Sequence, residues 1–137
     1  MKISEVMTTE IHTCSASDTL SECAGQMAVN NVGMLPVLDE NRQLYGVITD
    51  RDIVIGPVAA GLDVRTERAG DFTCRRLITG KPGMDIEDAT DLMSDNQIRR
   101  LPIVDNGKLV GIVALGDLAV KAEEQLVGHA LHSISMP

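Results

Sequence analysis

Aromatic side chains are almost absent from this sequence, whose 137 residues include one Phe, one Tyr and no Trp. Proteins that bind single-stranded nucleic acids stack bases on exposed aromatic rings, so this composition argues against that class. Basic residues are also in the minority, with 12 Lys and Arg against 20 Asp and Glu and a net charge of −8. Because a nucleic-acid footprint needs a basic face, we expect no nucleic-acid partner.

Long hydrophobic runs are absent as well. The longest apolar stretch, residues 53–62, is interrupted by Gly56, Pro57 and Gly61. It is far shorter than the roughly 20 residues that a membrane-spanning helix needs. Residues 1–7 carry no apolar signal-peptide region. The sequence therefore predicts a cytoplasmic protein that does not associate with membranes.

Cysteine is scarce and odd in number. Cys14, Cys23 and Cys74 lack C-x-x-C spacing, and the three histidines form no ligand pattern with them. We therefore predict reduced thiols that act as small hydrophobic residues, and no metal site. A redox function of Cys14 stays open as an alternative, because sequence does not distinguish an exposed thiol from a buried one.

The sequence does contain an internal duplication. Residues 27–39, MAVNNVGMLPVLD, align with residues 93–105, MSDNQIRRLPIVD, at an offset of 66 positions. Residues 44–48, LYGVI, align with residues 109–113, LVGIV, at an offset of 65 positions. The second copy is thus one residue shorter in a turn, where deletions are tolerated. Each copy would bury only a thin core alone, so we expect the copies to pack together.

Each copy begins with an amphipathic helical pattern. Apolar residues at helical spacing over 20–28 predict the first helix, and Thr19 with Glu22 forms a capping-box signature at its start. The second copy repeats the apolar stripe over 86–93, with Asp85 placed to cap the helix.

Two apolar runs follow each helix and predict a β-hairpin. The runs cover residues 34–38 and 44–49 in the first copy, and 101–104 and 109–114 in the second. The second turn contains Asn106-Gly107, a strong hairpin dipeptide. A brief strand is predicted before each first helix, near 11–14 and 77–79, and a short helix after each hairpin, near 51–55 and 117–124.

The predicted fold class is therefore α+β, with two β-α-β-β-α motifs. We place the first motif at residues 1–58 and the second at residues 71–124. An exposed linker, residues 59–70, joins them. The C-terminal tail, residues 125–137, has apolar residues at a helical spacing.

The two units MAVNNVGMLPVLDENRQLYGVITDRDI and MSDNQIRRLPIVDNGKLVGIVALGDL resemble CBS motifs, and the resemblance covers about residues 6–124. As a pair they resemble the Bateman module of stand-alone bacterial two-CBS proteins. The resemblance implies two motifs related by approximate two-fold symmetry, with face-to-face sheets, two clefts and pairing of modules into a homodimer. It also implies a regulatory sensor that binds an adenine nucleotide, of the AMP, ADP or ATP type, without a cofactor.

In this family the pattern G-h-x-[TS]-x-x-[DN] carries ligand contacts, and residues 46–52 match it. The resemblance implies that Thr49 approaches phosphate and that Asp52 binds ribose hydroxyls. A carboxylate can accept two hydrogen bonds from a cis-diol, so the role is chemically reasonable. Helix capping by Thr49 or Asp50, with Asp52 favoured in the first turn of the helix, explains the same pattern without a ligand.

The second copy departs from this pattern at residues 111–117. Asp117 keeps the acid that would bind ribose, but Ala114 replaces the hydroxyl. A hydrogen bond to a charged group contributes about 1.5–3 kcal/mol, so we expect weaker phosphate binding in this cleft.

The resemblance also implies where the phosphate's cations come from. In this family, basic residues just before the Leu-Pro of one motif reach into the cleft that contains the Asp of the other motif. The resemblance therefore assigns Arg99 and Arg100 to the Asp52 cleft. The reciprocal positions, Gly33 and Met34, carry no charge. Arg51 is expected to compensate in part in the second cleft. Since adjacent strand residues face opposite ways, at most one of Arg99 and Arg100 should point into the cleft.

An adenine ring would need an apolar slot, since the chain offers no aromatic platform for it. Six residues are candidates, and for each of them simple core packing is the better-supported interpretation: Thr13, Cys14, Val32, Met34, Pro36 and Val47.

An enzyme is not predicted. The sequence shows no Ser-His-Asp arrangement, no Cys–His pair, no metal cluster and no phosphate-binding P-loop. The alternative to a nucleotide sensor is a protein-interaction module with degenerate, ligand-free clefts, which the loss of the hydroxyl at Ala114 partly supports.

Overall fold

A computed structural model describes residues 1–121 of the chain, and the predicted C-terminal tail lies outside the described residues. Contacts divide the chain into two units. The first unit is His12–Leu77, and the second joins Met1–Ile11 to the described part of the chain that begins at Ile78. The N-terminal segment therefore belongs with the second copy of the repeat, which the sequence pattern did not indicate. No helix within residues 1–121 is long and apolar enough to cross a membrane.

The first unit contains a three-stranded sheet of order β1-β2-β3. Strand β1 pairs in parallel with β2, which pairs antiparallel with β3. The elements are β1 (Cys14–Ser15), α1 (Leu20–Asn30), β2 (Met34–Leu38), β3 (Leu44–Thr49) and α2 (Asp50–Ile53). A π-helical segment, Val54–Val58, continues α2, and a 3₁₀ turn covers Ala69–Asp71.

The second unit contains an antiparallel two-stranded sheet. Its elements are a 3₁₀ turn (Ile3–Glu5), α3 (Ile86–Asp95), β4 (Arg100–Asp105), β5 (Lys108–Ala114) and α4 (Leu115–Lys121). The strand predicted near residues 77–79 is replaced by one isolated bridge between Gly80 and Ile103.

The hairpin predictions are confirmed in both units. β2 and β3 have the predicted bounds, and β4 and β5 each extend by one or two residues beyond them. Asn106 and Gly107 have φ angles of 52° and 80°. Positive φ at both central residues is what a type I′ turn requires, and it explains the Asn-Gly sequence.

Both predicted residues stand at the N-cap of their helix, but only one of them makes a capping side-chain hydrogen bond. The Thr19 side chain accepts a hydrogen bond from the backbone N–H of Glu22 at 3.1 Å, as expected. Asp85 makes no capping hydrogen bond, and its carboxylate instead accepts one from Lys2 Nζ at 2.9 Å. The N-terminal segment lies beside the start of α3, where the Met1 carbonyl accepts from the N–H of Ile86 at 3.1 Å.

Each hairpin buries one face in the core of its own unit. In the first unit the strand residues Leu35, Val37 and Ile48 are completely buried, together with Leu20 of α1. In the second unit the matching strand residues Leu101, Ile103 and Val113 are completely buried, together with Met93 of α3. Because side chains alternate along a strand, the residues between them lie on the opposite face of each hairpin.

A segment that precedes one copy of the repeat packs on the hairpin of the other copy. Residues 3–11 correspond to residues 69–77 at the offset of 66 positions. In the second unit Thr8 forms an antiparallel bridge with Ile112, and in the first unit Cys74 forms the same bridge with Val47. The segment 59–70, predicted as an exposed linker, is mostly exposed, but Ala69 at its end is fully buried in the first unit.

Candidate ligand-binding site

Thr49 and Asp52 form a reciprocal pair at the end of β3. The Asp52 carboxylate oxygen Oδ2 accepts from the backbone N–H of Thr49 at 2.9 Å, and Thr49 Oγ1 accepts from the N–H of Asp52 at 3.1 Å. Within residues 1–121, the second carboxylate oxygen of Asp52 makes no hydrogen bond. The Thr49 hydroxyl accepts in this pair, so its proton is available to a further acceptor. The capping role is therefore real, and it leaves donor and acceptor capacity at the same place.

The pair sits on the non-core face of the hairpin. Met34 pairs in register with Thr49, and Pro36 pairs with Val47. Cross-strand partners share a face, so these four side chains lie together, opposite the buried residues of β2 and β3. Met34 and Val47 are half-buried and Pro36 is buried. The structure thus places three of the six predicted adenine-slot residues beside Thr49.

The other three slot candidates lie elsewhere in the first unit. Cys14 is buried in the core beside Cys23, and Val32 packs against the same core. Thr13 is half-buried just before β1. A hydrogen bond with Cys23, together with burial, raises the pKa of the Cys14 thiol well above its usual range. Burial in the core and the raised pKa both argue against the redox alternative for Cys14.

Asp50 adds a charge that the sequence pattern did not reveal. Its backbone N–H donates to the Gly33 carbonyl at 2.9 Å. Its carboxylate lies 3.2 Å from the place where a Cβ on Gly33 would be. The same carboxylate accepts from the N–H of Arg51 at 2.8 Å, and the Arg51 side chain is exposed. The Asp50 carboxylate therefore lies next to Gly33, a position that has no charge of its own.

In the second unit the equivalent of the Thr49–Asp52 pair is looser. Asp117 Oδ2 accepts from the N–H of Ala114 at 3.4 Å, where the first unit has 2.9 Å. The same oxygen accepts from the hydroxyl of Thr8, also at 3.4 Å. Ala114 has no side-chain oxygen to cap the N–H of Asp117. The acid is thus retained, but its hydroxyl neighbour comes from a different segment of the chain.

Arg99 and Arg100 are both exposed in the second unit. The Arg99 carbonyl accepts from the N–H of Leu115 at 2.9 Å, as the Gly33 carbonyl does from Asp50. Arg100 pairs in register with Ala114. The predicted partners of these arginines, Thr49 and Asp52, belong to the first unit, so their approach to one ligand stays a prediction.

Sequence reasoning missed Asp50 and Thr8 for different reasons. Asp50 was recognised only as a helix-cap candidate, and its contact with Gly33 depends on the closed turn between two strands. Thr8 had no signal in sequence identity: residues 3–11 correspond to residues 69–77 at the offset of the repeat, but the two segments share no identical residue. That alignment matches Thr8 with Cys74, and both residues bridge to a hairpin.

Within residues 1–121, no group of three or more His, Cys, Asp or Glu side chains is placed to hold a metal ion. Chemically, the Thr49–Asp52 pair offers one hydroxyl donor and one carboxylate oxygen beside an apolar face. That combination suits a polar ligand with hydroxyl groups and a flat apolar part.

Comparison with known proteins identifies the family of the chain. A model of the CBS domain family matches residues 3–56 and 69–124. The CBS domain-containing protein YhcV of Bacillus subtilis is 45% identical over 134 residues, which cover 97% of this chain and 94% of that protein.

Two solved structures extend the comparison. The crystal structure of hypoxic response protein I with two coordinated zinc ions has a TM-score of 0.81 and 31% identity, and the match covers 90% of this chain and 100% of that chain. The crystal structure of CBSX2 in complex with AMP has a TM-score of 0.76 and 26% identity, covering 88% of this chain and 94% of that chain. With α+β architecture in both units and a family match over most of its length, the chain belongs to the CBS domain family and is a regulatory module of two tandem CBS motifs.

Proposed function

We propose that this module is a sensor that binds an adenine nucleotide at the Thr49–Asp52 pair. The observation that carries the proposal is the geometry of that pair. Each residue satisfies the backbone of the other, at 2.9 and 3.1 Å, and each keeps one polar group for a ligand. A carboxylate held in this way needs little further ordering before it binds a diol.

The roles of the two side chains follow from their free groups. The unengaged oxygen of Asp52 accepts from a ribose hydroxyl, and the Thr49 hydroxyl donates to a phosphate oxygen. Met34, Pro36 and Val47 provide an apolar face on which the adenine ring lies. The AMP complex of CBSX2, a structural relative, supports an adenosine compound as the ligand class.

The phosphate's cations are assigned to Arg99 and Arg100, and this part of the proposal rests on the family resemblance. Both side chains are exposed and therefore free to reorient toward an anion. The Asp117 site lacks the Thr49 hydroxyl, and the reciprocal positions, Gly33 and Met34, carry no charge. We therefore expect the Asp52 site to bind phosphorylated adenosines more tightly than the Asp117 site. Losing one hydroxyl and one cation contact should cost about 2–3 kcal/mol, or about 30- to 150-fold in affinity.

The test is calorimetric titration of AMP into the wild type, Asp52→Ala and Asp117→Ala. We expect Asp52→Ala to abolish the tight binding event and Asp117→Ala to leave it. Asp50→Ala is the matched control, because it removes a neighbouring carboxylate that the proposal does not use, and it should retain or raise AMP affinity. Unchanged tight binding in Asp52→Ala contradicts the site. An Arg99→Ala/Arg100→Ala variant with wild-type AMP affinity contradicts the cation assignment alone.

The alternative function is a protein-interaction module without a ligand. An exposed apolar surface in the first unit supports it. Val54, Ile55, Val58 and Leu62 are 43–57% exposed after α2. Such a run is typical of an interaction surface, and we propose that it contributes to a homodimer. The helix residues Met27 and Met93 are buried in their own cores and do not contribute to this surface. A monomer mass by light scattering at micromolar concentration would contradict the homodimer, and the absence of any thermal shift with adenosine compounds would favour the ligand-free module.

A further inference from the structure

Thr8 is fixed beside Asp117 by its backbone. Its N–H donates to the Ile112 carbonyl and its carbonyl accepts from the Ile112 N–H, both at 2.9 Å. Ile112 lies two residues before Ala114 on β5, so this two-bond bridge sets the position of Thr8 relative to the end of the strand. The Thr8 hydroxyl then lies 3.4 Å from Asp117 Oδ2.

The first unit has the same bridge without the hydroxyl. Cys74 and Val47 exchange backbone hydrogen bonds at 2.9 and 3.1 Å. The Cys74 thiol contacts the Arg76 carbonyl at 4.0 Å and makes no hydrogen bond to Asp52 within the described residues. In that unit the hydroxyl beside the acid comes from Thr49. Each acid therefore has one threonine hydroxyl near it, but the threonine comes from β3 in one unit and from the N-terminal segment in the other.

We propose that Thr8 is a binding residue for a ribose-type diol at Asp117 and supplies a hydroxyl where Ala114 has none. The inference rests on the proposed adenosine-binding function. The Thr8 hydroxyl donates to Asp117 Oδ2, which leaves its oxygen as an acceptor and Asp117 Oδ1 as a second acceptor. Two adjacent acceptors match the two hydroxyl donors of a cis-diol. Because the Thr8 hydroxyl proton is engaged with Asp117, it is not available to a phosphate oxygen, and the arrangement recognises the sugar rather than a phosphate.

The experiment uses adenosine as the probe and the Asp52→Ala background, in which Asp117 is the remaining acid. Thr8→Val keeps the shape of the side chain and the backbone bridge but removes the hydroxyl. We expect it to weaken adenosine binding about 5- to 10-fold, and Thr8→Ser to restore affinity to within about twofold. AMP should weaken by the same factor, because the change concerns the sugar. Cys74→Val in an Asp117→Ala background is the matched control, and it should leave the affinity for adenosine unchanged.

The outcomes separate this inference from the proposed function. Wild-type protein that binds no adenosine compound overturns both. Binding that survives in Asp117→Ala but is absent from Asp52→Ala overturns the role of Thr8 and leaves the proposed function standing. Equal affinities for Thr8→Val and its parent, failure of Thr8→Ser to restore binding, or a loss confined to AMP each overturn the Thr8 assignment alone.

Discussion

The two units share a hairpin and a bridging segment, which is residues 69–77 in the first unit and residues 3–11 in the second. They differ in the side chains at the matched positions. Met34 faces Thr49 across the first hairpin, where Arg100 faces Ala114 across the second. The bridging residue is Cys74 in the first unit and Thr8 in the second. The backbone pairings are retained in both copies, so the duplication preserved the framework and changed the chemistry that it presents.

A glycine in each hairpin shows why the framework is retained. Gly46 and Gly111 lie on the core-facing side of β3 and β5, directly under the bridging segments. A Cβ on Gly46 would overlap the Cys74 carbonyl oxygen and the Thr73 methyl group, and a Cβ on Gly111 would overlap the Met7 side chain. The glycine of the repeated L-x-G pattern is therefore explained by a close approach of two segments, and not by its backbone angles.

The largest predicted effect is on the free energy of unfolding. It arises because an added Cβ would overlap a backbone carbonyl at Gly46 but a side chain at Gly111. Gly46→Ala should destabilise the protein by about 3 kcal/mol, because a backbone carbonyl must move. Gly111→Ala should cost about 1 kcal/mol, because the flexible Met7 side chain can rearrange. The measurement is urea unfolding of both variants. Adding Met7→Ala should rescue Gly111→Ala, whereas adding Thr73→Ala should not rescue Gly46→Ala. Equal losses in the two units would contradict this explanation.

How much the sequence predicted depends on the range of the interactions involved. The hairpins, the Asn106-Gly107 turn and the Thr19 cap follow from local alternation and turn chemistry, and they were predicted. Asp85 satisfied the local rule for a cap, but Lys2 of the N-terminal segment engages its carboxylate, and the Met1 carbonyl accepts from the N–H of Ile86 at the start of α3.

The candidate site shows the same division. The Thr49–Asp52 pair lies within one turn, so its spacing alone predicted that the two side chains meet. The Thr8–Asp117 contact joins segments far apart in the sequence. Finding it required the pairing of the N-terminal segment with β5, which no local pattern encodes. The prediction of a brief strand near residues 77–79 was wrong. Gly80 stands where the first copy has Cys14, and it forms only a single bridge, since glycine weakens a strand.

The second comparison concerns the two strand ends, where we expect intermediate effects. Thr49→Ala removes the hydroxyl that caps the N–H of Asp52 and should cost about 1 kcal/mol of unfolding free energy. Ala114→Thr introduces the missing hydroxyl in the second unit and should contribute about 0.5–1 kcal/mol, since the N–H of Asp117 then gains an acceptor. Thermal unfolding of both variants, with Thr49→Ser as the conservative control, measures the difference. A destabilised Ala114→Thr would show that the Thr8–Asp117 contact occupies the space that the new side chain needs.

The smallest predicted effect is a pH dependence confined to the second unit. Lys2 and Asp85 form a salt bridge of 2.9 Å in that unit. The matched positions in the first unit are Arg68 and Thr19, which cannot form a salt bridge. Arg68 instead donates to the Ser17 carbonyl at 2.8 Å. The hydrogen bond with Lys2 lowers the pKa of Asp85 below its usual 3.8, and the hydrogen bond with Asp85 raises the pKa of Lys2 above its usual 10.5.

The sign of the pH dependence follows from these two directions. A lowered acid pKa gives stability that is present above pH 3.8 and is lost as the pH falls through the folded value. A raised Lys pKa gives stability that is present below pH 10.5 and is lost as the pH rises through the folded value. Between these limits the contribution should be constant, and it should be small because both side chains are exposed. Amide hydrogen exchange of α3 in the wild type and Asp85→Asn measures it. Exchange should speed up in the variant at pH 7 and converge with the wild type near pH 2, and a difference that persists at pH 2 would show that the Asp85 side chain acts through something other than its charge.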